Sequence, residues 1–443
     1  MSANPELLKI ARLACERAQA RGASAAAAGA QVTRQVGVAV RDGKFEEVKA
    51  SVSRGLSLSV YVDGRYGSHR TSDLQPAALS RFVDDAVAMT RFVQADPFRV
   101  LPDPALFAGR SPADLGLADP AHAALTLDQR KDRALAAYQA ARQGAGDRLI
   151  SAGSGWSDTH AEHVYVTTNG FADGEARTSF WLWATVSLDD REQKKRPNDW
   201  AQTGGRRLAD LTAPAQVGAE AAERTRACLG ADKIDTVTLP LIIENRAVDR
   251  LLGGLLAPLS GQSLQQRRSC FEGWEGKAVA PPLLTLTDEP LLERGLGSRR
   301  FDGEGLTARR RPVIEGGVLR SFFIDSYYGR KLGRAPTTGG SSNLVCSPGT
   351  ASLDGLLADA GKAILITSFI GGNSNPTTGD FSHGLSGFLV EGGKRVRPIS
   401  SMNLAGNHRT FWMRLQALGN DPYPYGSERL PSLRLSATEV AGR

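Results

Sequence analysis

Histidine, cysteine and methionine are scarce in this chain, at six, four and four among 443 residues. The cysteines, Cys15, Cys228, Cys270 and Cys346, lie far apart, and C-x-x-C does not occur. That spacing suggests neither a zinc knuckle nor a redox pair, and reduced thiols buried in a core are expected. Long apolar runs are missing too. Ala23–Ala30 is the longest stretch of small apolar residues, broken by Ser and Gly and too short to span a membrane. No basic segment followed by an apolar one opens the sequence, so a cytoplasmic location is expected.

What is present is an ordinary soluble balance: 41% hydrophobic and 23% charged residues, enough length for two or three domains. The net charge is +7 and the pI about 9.3. The basic residues are scattered, with small clusters at Lys194-Lys195-Arg196, Arg267-Arg268, Arg299-Arg300 and Arg309-Arg310-Arg311. Nucleic-acid readers carry a basic stripe with interleaved aromatics or a known module. Neither is visible, so nucleic acid and membrane are not expected partners.

The patterning predicts an α+β fold. Asn4 and Pro5 can start a helix whose one face carries Leu7, Leu8, Ala11, Ala14, Cys15 and Ala18. A β-meander follows, with Asp42-Gly43 and Asp63-Gly64 as turns, and then a helix after Pro76. Pro97–Pro120 reads as a connector. A helix over Leu127–Arg142 opens a second unit. Its strands lie near Leu149–Trp156, Val164–Thr168 and Phe180–Leu188, and its last helix is Pro214–Cys228, capped by Thr212. From Asp235 the texture turns to short strands and Gly turns, which predicts a β-rich, barrel-like C-terminal domain. The expected domains are an N-terminal α+β unit (1–96), a linker (97–125), a middle α+β unit (126–232) and the C-terminal domain (233–443).

The most informative stretch is T-T-G-D-F-S-H-G at Thr377–Gly384, leading through a Gly392-Gly393 turn to N-L-A-G-N at Asn403–Asn407. Together with Ser53–Ser68, Thr71–Leu74, R-F-D-G-E-G-L-T at Arg300–Thr307, T-T-G-G at Thr337–Gly340 and G-N-D at Gly419–Asp421, it resembles the TldD/PmbA family. These are bacterial and archaeal metallopeptidases once described as modulators of DNA gyrase. Zinc-bearing members hold the metal on an H-E-x-x-x-H helix and a cysteine near the C-terminus. The corresponding helix here, within Leu241–Leu259, has no histidine, and Asp421–Pro431 has no cysteine. Zinc needs three or four N, S or O ligands in a tight shell. The resemblance therefore implies the PmbA (TldE) branch: a zinc-less subunit of a heteromeric metallopeptidase acting on extended or unfolded peptides. No cofactor, metal or catalytic residue is expected in this chain, and zinc is expected in a TldD-like paralogue. The chain would shape the peptide cleft, with Thr377, Thr378, Gly379, Asp380, Phe381, Ser382, His383 and Gly387 as candidate peptide-binding residues on a loop. The alternatives are a homo-oligomeric peptide-binding protein, a metal-free hydrolase using His383, and a gyrase-associated regulator.

Other candidates read more plainly. His160 and His163 lie in H-A-E-H, expected as a polar turn leading into Val164–Val166. On a strand, residues three apart would face opposite sides and could not share a metal. Asp380, Ser382 and His383 are adjacent in sequence, whereas hydrolase triads assemble from separate segments. Gly355–Lys362 resembles a phosphate loop, but five residues separate its glycines and Ala363 replaces the Ser or Thr. A helix with a glycine C-cap is expected instead. Trp181 and Trp183 should share one strand face and serve in core or interface packing.

Overall fold

A computed structural model describes residues 3–443. The first helix forms as its cap predicts. Asn4 Oδ1 accepts the amides of Glu6 and Leu7 at 3.0 and 3.2 Å, and Pro5 occupies the first turn, where no amide partner is needed. Helix α1 (Pro5–Ala20) buries Leu7, Ala11, Ala14, Cys15 and Ala18. Strands β1 (Ala25–Arg41), β2 (Lys44–Val62) and β3 (Arg65–Thr71) form the meander, followed by α2 (Pro76–Thr90). Both expected turns have two residues at positive φ (Asp42 48°, Gly43 82°; Asp63 50°, Gly64 73°), the twist that matches a hairpin. The connector that follows is irregular apart from two short 3-10 turns.

The second unit comprises α3 (Leu127–Ala145), β4 (Leu149–Thr167), β5 (Ala172–Leu188), β6 (Asn198–Gly205) and α4 (Pro214–Ala227). Two local expectations are corrected. His160–His163 is not a turn but the middle of β4, one 19-residue strand where the pattern suggests two. Its polar segment keeps a full ladder on both sides, with Thr33 opposite Ala161 and His160 opposite Thr178. Thr212 does not cap α4. Ala213 takes that position, and the Thr212 hydroxyl lies 3.0 Å from the Tyr425 hydroxyl.

The helix-on-antiparallel-sheet reading holds, but the two units share one sheet, ordered β3-β2-β1-β4-β5-β6. β1 pairs with β2 on one side and with β4 on the other. All four helices cover the same face. α1 and α2 close a core over Leu56, Leu58, Val60 and Val164. α3 and α4 close another over Trp156, Phe180, Leu182 and Val186. The other face has no helical cover.

The C-terminal half contains β7 (Val237–Ile243), α5 (Asn245–Leu256), α6 (Gly261–Gln265), β8 (Leu286–Asp288), β9 (Arg311–Glu315), β10 (Val318–Leu319), α7 (Ser326–Leu332), β11 (Leu344–Cys346), α8 (Leu353–Ala360), β12 (Ala363–Ser374), β13 (Asp380–Glu391), β14 (Lys394–Asn407), α9 (His408–Phe411), β15 (Leu415–Leu418), β16 (Glu428–Arg429) and β17 (Leu433–Val440). The phosphate-loop lookalike is α8, ended by Gly361 at φ 64°. The β-rich character is as expected. The strands form two sheets, β10-β9-β8-β11-β16 and β14-β13-β12-β7-β17-β15, neither closed into a barrel, although isolated bridges from Asn403 to Ala441 and from Ile399 to Asp232 cover part of the β14 edge. Alternation and Gly turns specify strands, not which strands pair. Here β7 sits centrally, parallel to β12 and antiparallel to β17, which leaves β14 and β15 apart.

Candidate functional site

The uncovered face of the six-stranded sheet is built from small and polar residues with Trp181, Trp183 and Trp200 and the tyrosines Tyr61 and Tyr165 among them. Trp181 and Trp183 are half-buried, and each indole lies over a glycine of the neighbouring strand. A Cβ on Gly155 would come within 2.4 Å of Trp183, and one on Gly204 within 2.2 Å of Trp181. The tryptophans thus cover the sheet rather than fill a core, and they leave a flat aromatic surface beside Ser157 and Thr159.

The C-terminal half meets this face at two places. At one, Arg300 donates its amide to Glu175 at 3.1 Å, and Phe301 packs on Phe171 with ring centroids 5.0 Å apart. At the other, Arg246 of α5 stacks 3.8 Å from the Trp200 ring, and Gln202 donates to the Tyr423 hydroxyl at 3.0 Å. Arg224 of α4 makes a two-pronged bridge to Glu244 at 2.9 and 2.7 Å, locking the joint. The inward face of α5 is apolar, with Val248, Leu251, Leu252 and Leu255 buried. Its outward face presents Asp249, Arg250 and Gly253 to solvent. The Arg250 guanidinium donates to the carbonyls of Gly371 and Gly372 at 3.3 and 2.9 Å, which ties α5 to the β12–β13 hairpin.

That hairpin carries the sequence-predicted residues, and only its tip is a loop. Strand β13 begins at Asp380, so Asp380–Gly387 alternate in direction. Thr377, Thr378, Asp380 and Ser382 are exposed; Gly379, Phe381, His383 and Gly387 are buried. The tip is rigid. Asn407 donates to the Thr378 carbonyl and to Asp380 Oδ1 at 2.9 and 2.8 Å. Hydrogen bonds with Thr378 and Asn407 hold the Asp380 carboxyl below its ordinary range. Ser382 donates to Asn403 at 3.2 Å, on the side away from His383. Asp380, Ser382 and His383 therefore do not assemble as a triad.

Behind the hairpin lies a relay that sequence reading missed. Trp412 donates to His408 Nδ1 at 3.2 Å. An indole can only donate, so His408 must carry its proton on Nε2, which faces Ser374 Oγ at 3.4 Å. Ser374 Oγ in turn lies 3.3 Å from His383 Nε2, and His383 Nδ1 faces the Gly371 carbonyl at 3.3 Å. Two neutral imidazoles satisfy every position. Burial pushes His383 down and His408 further, to about 4. Phe381 sits between the two rings, at 5.7 and 4.7 Å. The signal in sequence was N-L-A-G-N-H at Asn403–His408; nothing marked Ser374.

The residues at α5 do not fit zinc. Among the described residues no three His, Cys, Asp or Glu side chains converge as a metal cluster. The acidic residue on α5 is Asp249, and neighbouring Glu244 is committed to Arg224. Burial pushes Cys15 and Cys346 up to about 12 and Cys228 to about 11, and raises Cys270 as well, so these thiols are not nucleophiles at neutral pH.

Three family domains match in order along the chain: PmbA/TldA metallopeptidase domain 1 at 26–90, the central domain at 121–229 and the C-terminal domain at 236–442. The chain belongs to the PmbA/TldD metallopeptidase family. It is 32% identical to the metalloprotease PmbA of Escherichia coli O157:H7, over 95% of this chain and 94% of that one. A PmbA homolog from Haemophilus influenzae is 30% identical, over 99% and 96%. Among solved structures, a Bacteroides thetaiotaomicron protein named for DNA gyrase modulation superposes with a TM-score of 0.96 at 36% identity, over 99% of this chain and all of that one. TldE from Thermococcus kodakarensis shares the fold, with a TM-score of 0.86 at 17% identity over 98% and 100%. Among the described residues no helix is long and apolar enough to cross a membrane.

Proposed function

We propose that this chain is the zinc-less subunit of a heteromeric PmbA/TldD-type metallopeptidase that processes extended or unfolded peptides. The observation that carries the reading is α5. The helix packs its apolar face into the core and contacts the hairpin and the sheet, yet its exposed residues Asp249, Arg250 and Gly253 offer neither imidazole nor thiolate to a metal. A TldD-like paralogue would supply zinc and the general base. This chain would contribute the Trp181–Trp183 surface and the exposed hairpin residues Thr377, Thr378, Asp380 and Ser382 as walls of the peptide groove. An extended peptide offers backbone groups that such walls can bind regardless of sequence.

The test is a tagged pull-down from the native host with mass spectrometry. The expected result is a near-stoichiometric paralogue carrying H-E-x-x-x-H, and peptide binding by the complex that weakens about tenfold on Asp380→Ala. Recovery of the chain without such a paralogue would overturn the subunit reading. Unchanged peptide affinity in the Asp380→Ala complex would remove the hairpin from the groove.

A further inference from the structure

One glycine of the six-stranded sheet stands where the backbone does not call for it. Gly29 lies inside β1 and is not at positive φ. A Cβ there would first meet Ser57 Oγ, at 2.9 Å, the movable end of a short side chain. Glycine inside a strand costs stability and marks a place where something else approaches the backbone closely. Gly29 and Gly55 of β2 form the floor of a cavity of about 380 Å³ on the open face, within the range of small-ligand sites.

Its two sides differ in character. Arg70, Ser57, Gly29 and Tyr165 stand in one row across β3, β2, β1 and β4. Three strand spacings, about 14 Å, separate Arg70 from Tyr165. The Tyr165 side is aromatic, with the rings of Phe301 and His163 5.8 Å apart. Burial and the nearby Arg177 push His163 down, so it stays neutral. Asp302 lines the cavity too, but its carboxyl is taken by the amides of Glu304 and Leu306 at 2.9 and 3.0 Å and by the Thr338 hydroxyl at 3.1 Å. On the opposite rim Arg70 is exposed and, among the described residues, forms no ion pair.

We propose that this cavity binds an aromatic carboxylate, with its ring on the glycine floor against Tyr165 and Phe301 and its carboxyl on Arg70. Aromatic walls favour a ring packed edge-on or offset, and a guanidinium holds a carboxylate by two parallel bonds. Asp302 is the only acidic side chain lining the cavity and is already committed, so a free ammonium finds no counter-charge. The same chemistry occurs in a free aryl acid and at the C-terminus of a peptide that ends in an aromatic residue. The site stands without the peptidase reading; only the peptide source rests on it.

The test is isothermal titration calorimetry of the full chain with N-acetylphenylalanine, its amide, and the tetrapeptide Ala-Ala-Ala-Phe. The acid should bind at least about tenfold more tightly than the amide. Arg70→Gln should bring the acid down to the level of the amide and leave the amide unchanged. Gly29→Val should abolish binding of both. Gly37→Val is the control, on the same strand and with nothing within 4 Å of the added Cβ; it should bind as the wild type does. Tighter binding of the tetrapeptide than of N-acetylphenylalanine would make the source a peptide end, and weaker binding a free acid. Equal affinity for acid and amide, no binding of either, or unimpaired binding by Gly29→Val would overturn the proposal.

Discussion

His408 shows how much a single side chain can take from its surroundings. It is fully buried, accepts from Trp412, and must donate to Ser374, so protonating Nδ1 would break the bond from Trp412 and bury a charge. Its pKa falls from 6.5 to about 4. Between those values the unfolded chain binds the proton and the folded chain does not, so stability rises with pH through this window and is lost as pH falls. The full effect is about 3 kcal/mol. Urea denaturation from pH 7 to pH 4 should show this loss in the wild type. His408→Gln should be less stable at pH 7 and should lack that part of the slope; an unchanged slope would place the acid sensitivity elsewhere. The sequence made His383 visible by its company, T-T-G-D-F-S-H-G, but not its partner. What pairs His383 with His408 is a serine nine residues earlier and a helix start twenty-five residues later, a tertiary arrangement with no local signature.

At the level of elements, glycine separates positions of different kinds. Gly387 sits at a register shift between β13 and β14, and a Cβ there would lie 1.8 Å from the Leu365 carbonyl of β12. Gly387→Ala must force β12 and β13 apart, and a loss above about 3 kcal/mol is expected. Gly253, on the outward side of α5, has nothing within 4 Å of the added methyl. Gly253→Ala should stabilise by about 0.5–1 kcal/mol, since a glycine in an exposed helix interior is a conformational liability. Thermal denaturation of the two variants should therefore move in opposite directions. Turns and helices of this chain were legible because their determinants are local: Asn4 and Pro5 at a helix start, Asp-Gly pairs at hairpins, Gly361 at a helix end. The polar run His160–His163 was misread because its strand character comes from pairing with β5 on one side and with β1, more than a hundred residues away, on the other. Whether the barrel-like C-terminal sheets close was undecided for the same reason, since strand partners are not written in the alternation of any one strand.

For the whole molecule, the shared sheet matters more than the division into units. The N-terminal core over Leu56 and Leu58 includes Val164 and Val166 from β4, and β1 is an inner strand only because β4 covers its second side. A fragment of residues 1–96 would expose that side and lack part of its core. It should show no cooperative unfolding transition by circular dichroism, whereas a fragment of residues 1–232 should unfold in a single step. Independent cooperative folding of the shorter piece would show that β4 is dispensable. The family resemblance reached nearly the full length of the chain from a handful of Gly-rich motifs, but it said nothing of this coupling. The joint made by Arg224, Glu244, Arg246 and Trp200 was equally hidden, because each residue reads as ordinary surface charge or aromatic until the halves are brought together.

The same sheet sets a schedule for synthesis. β1 leaves the ribosome more than a hundred residues before the β4 residues that complete it. At about 5–20 residues per second, that interval lasts on the order of 5–20 s. Throughout it the nascent chain displays an inner strand as though it were an edge, with Ala26, Ala28 and Ala30 only partly covered. Alanines and glycine in this part of β1, in place of larger β-branched residues, make the waiting strand a poor seed for aggregation. The modest side chains of Ala25–Ala30 thus serve the chain twice, as a close bed for α1 once folded and as a quiet surface while the rest is still being made.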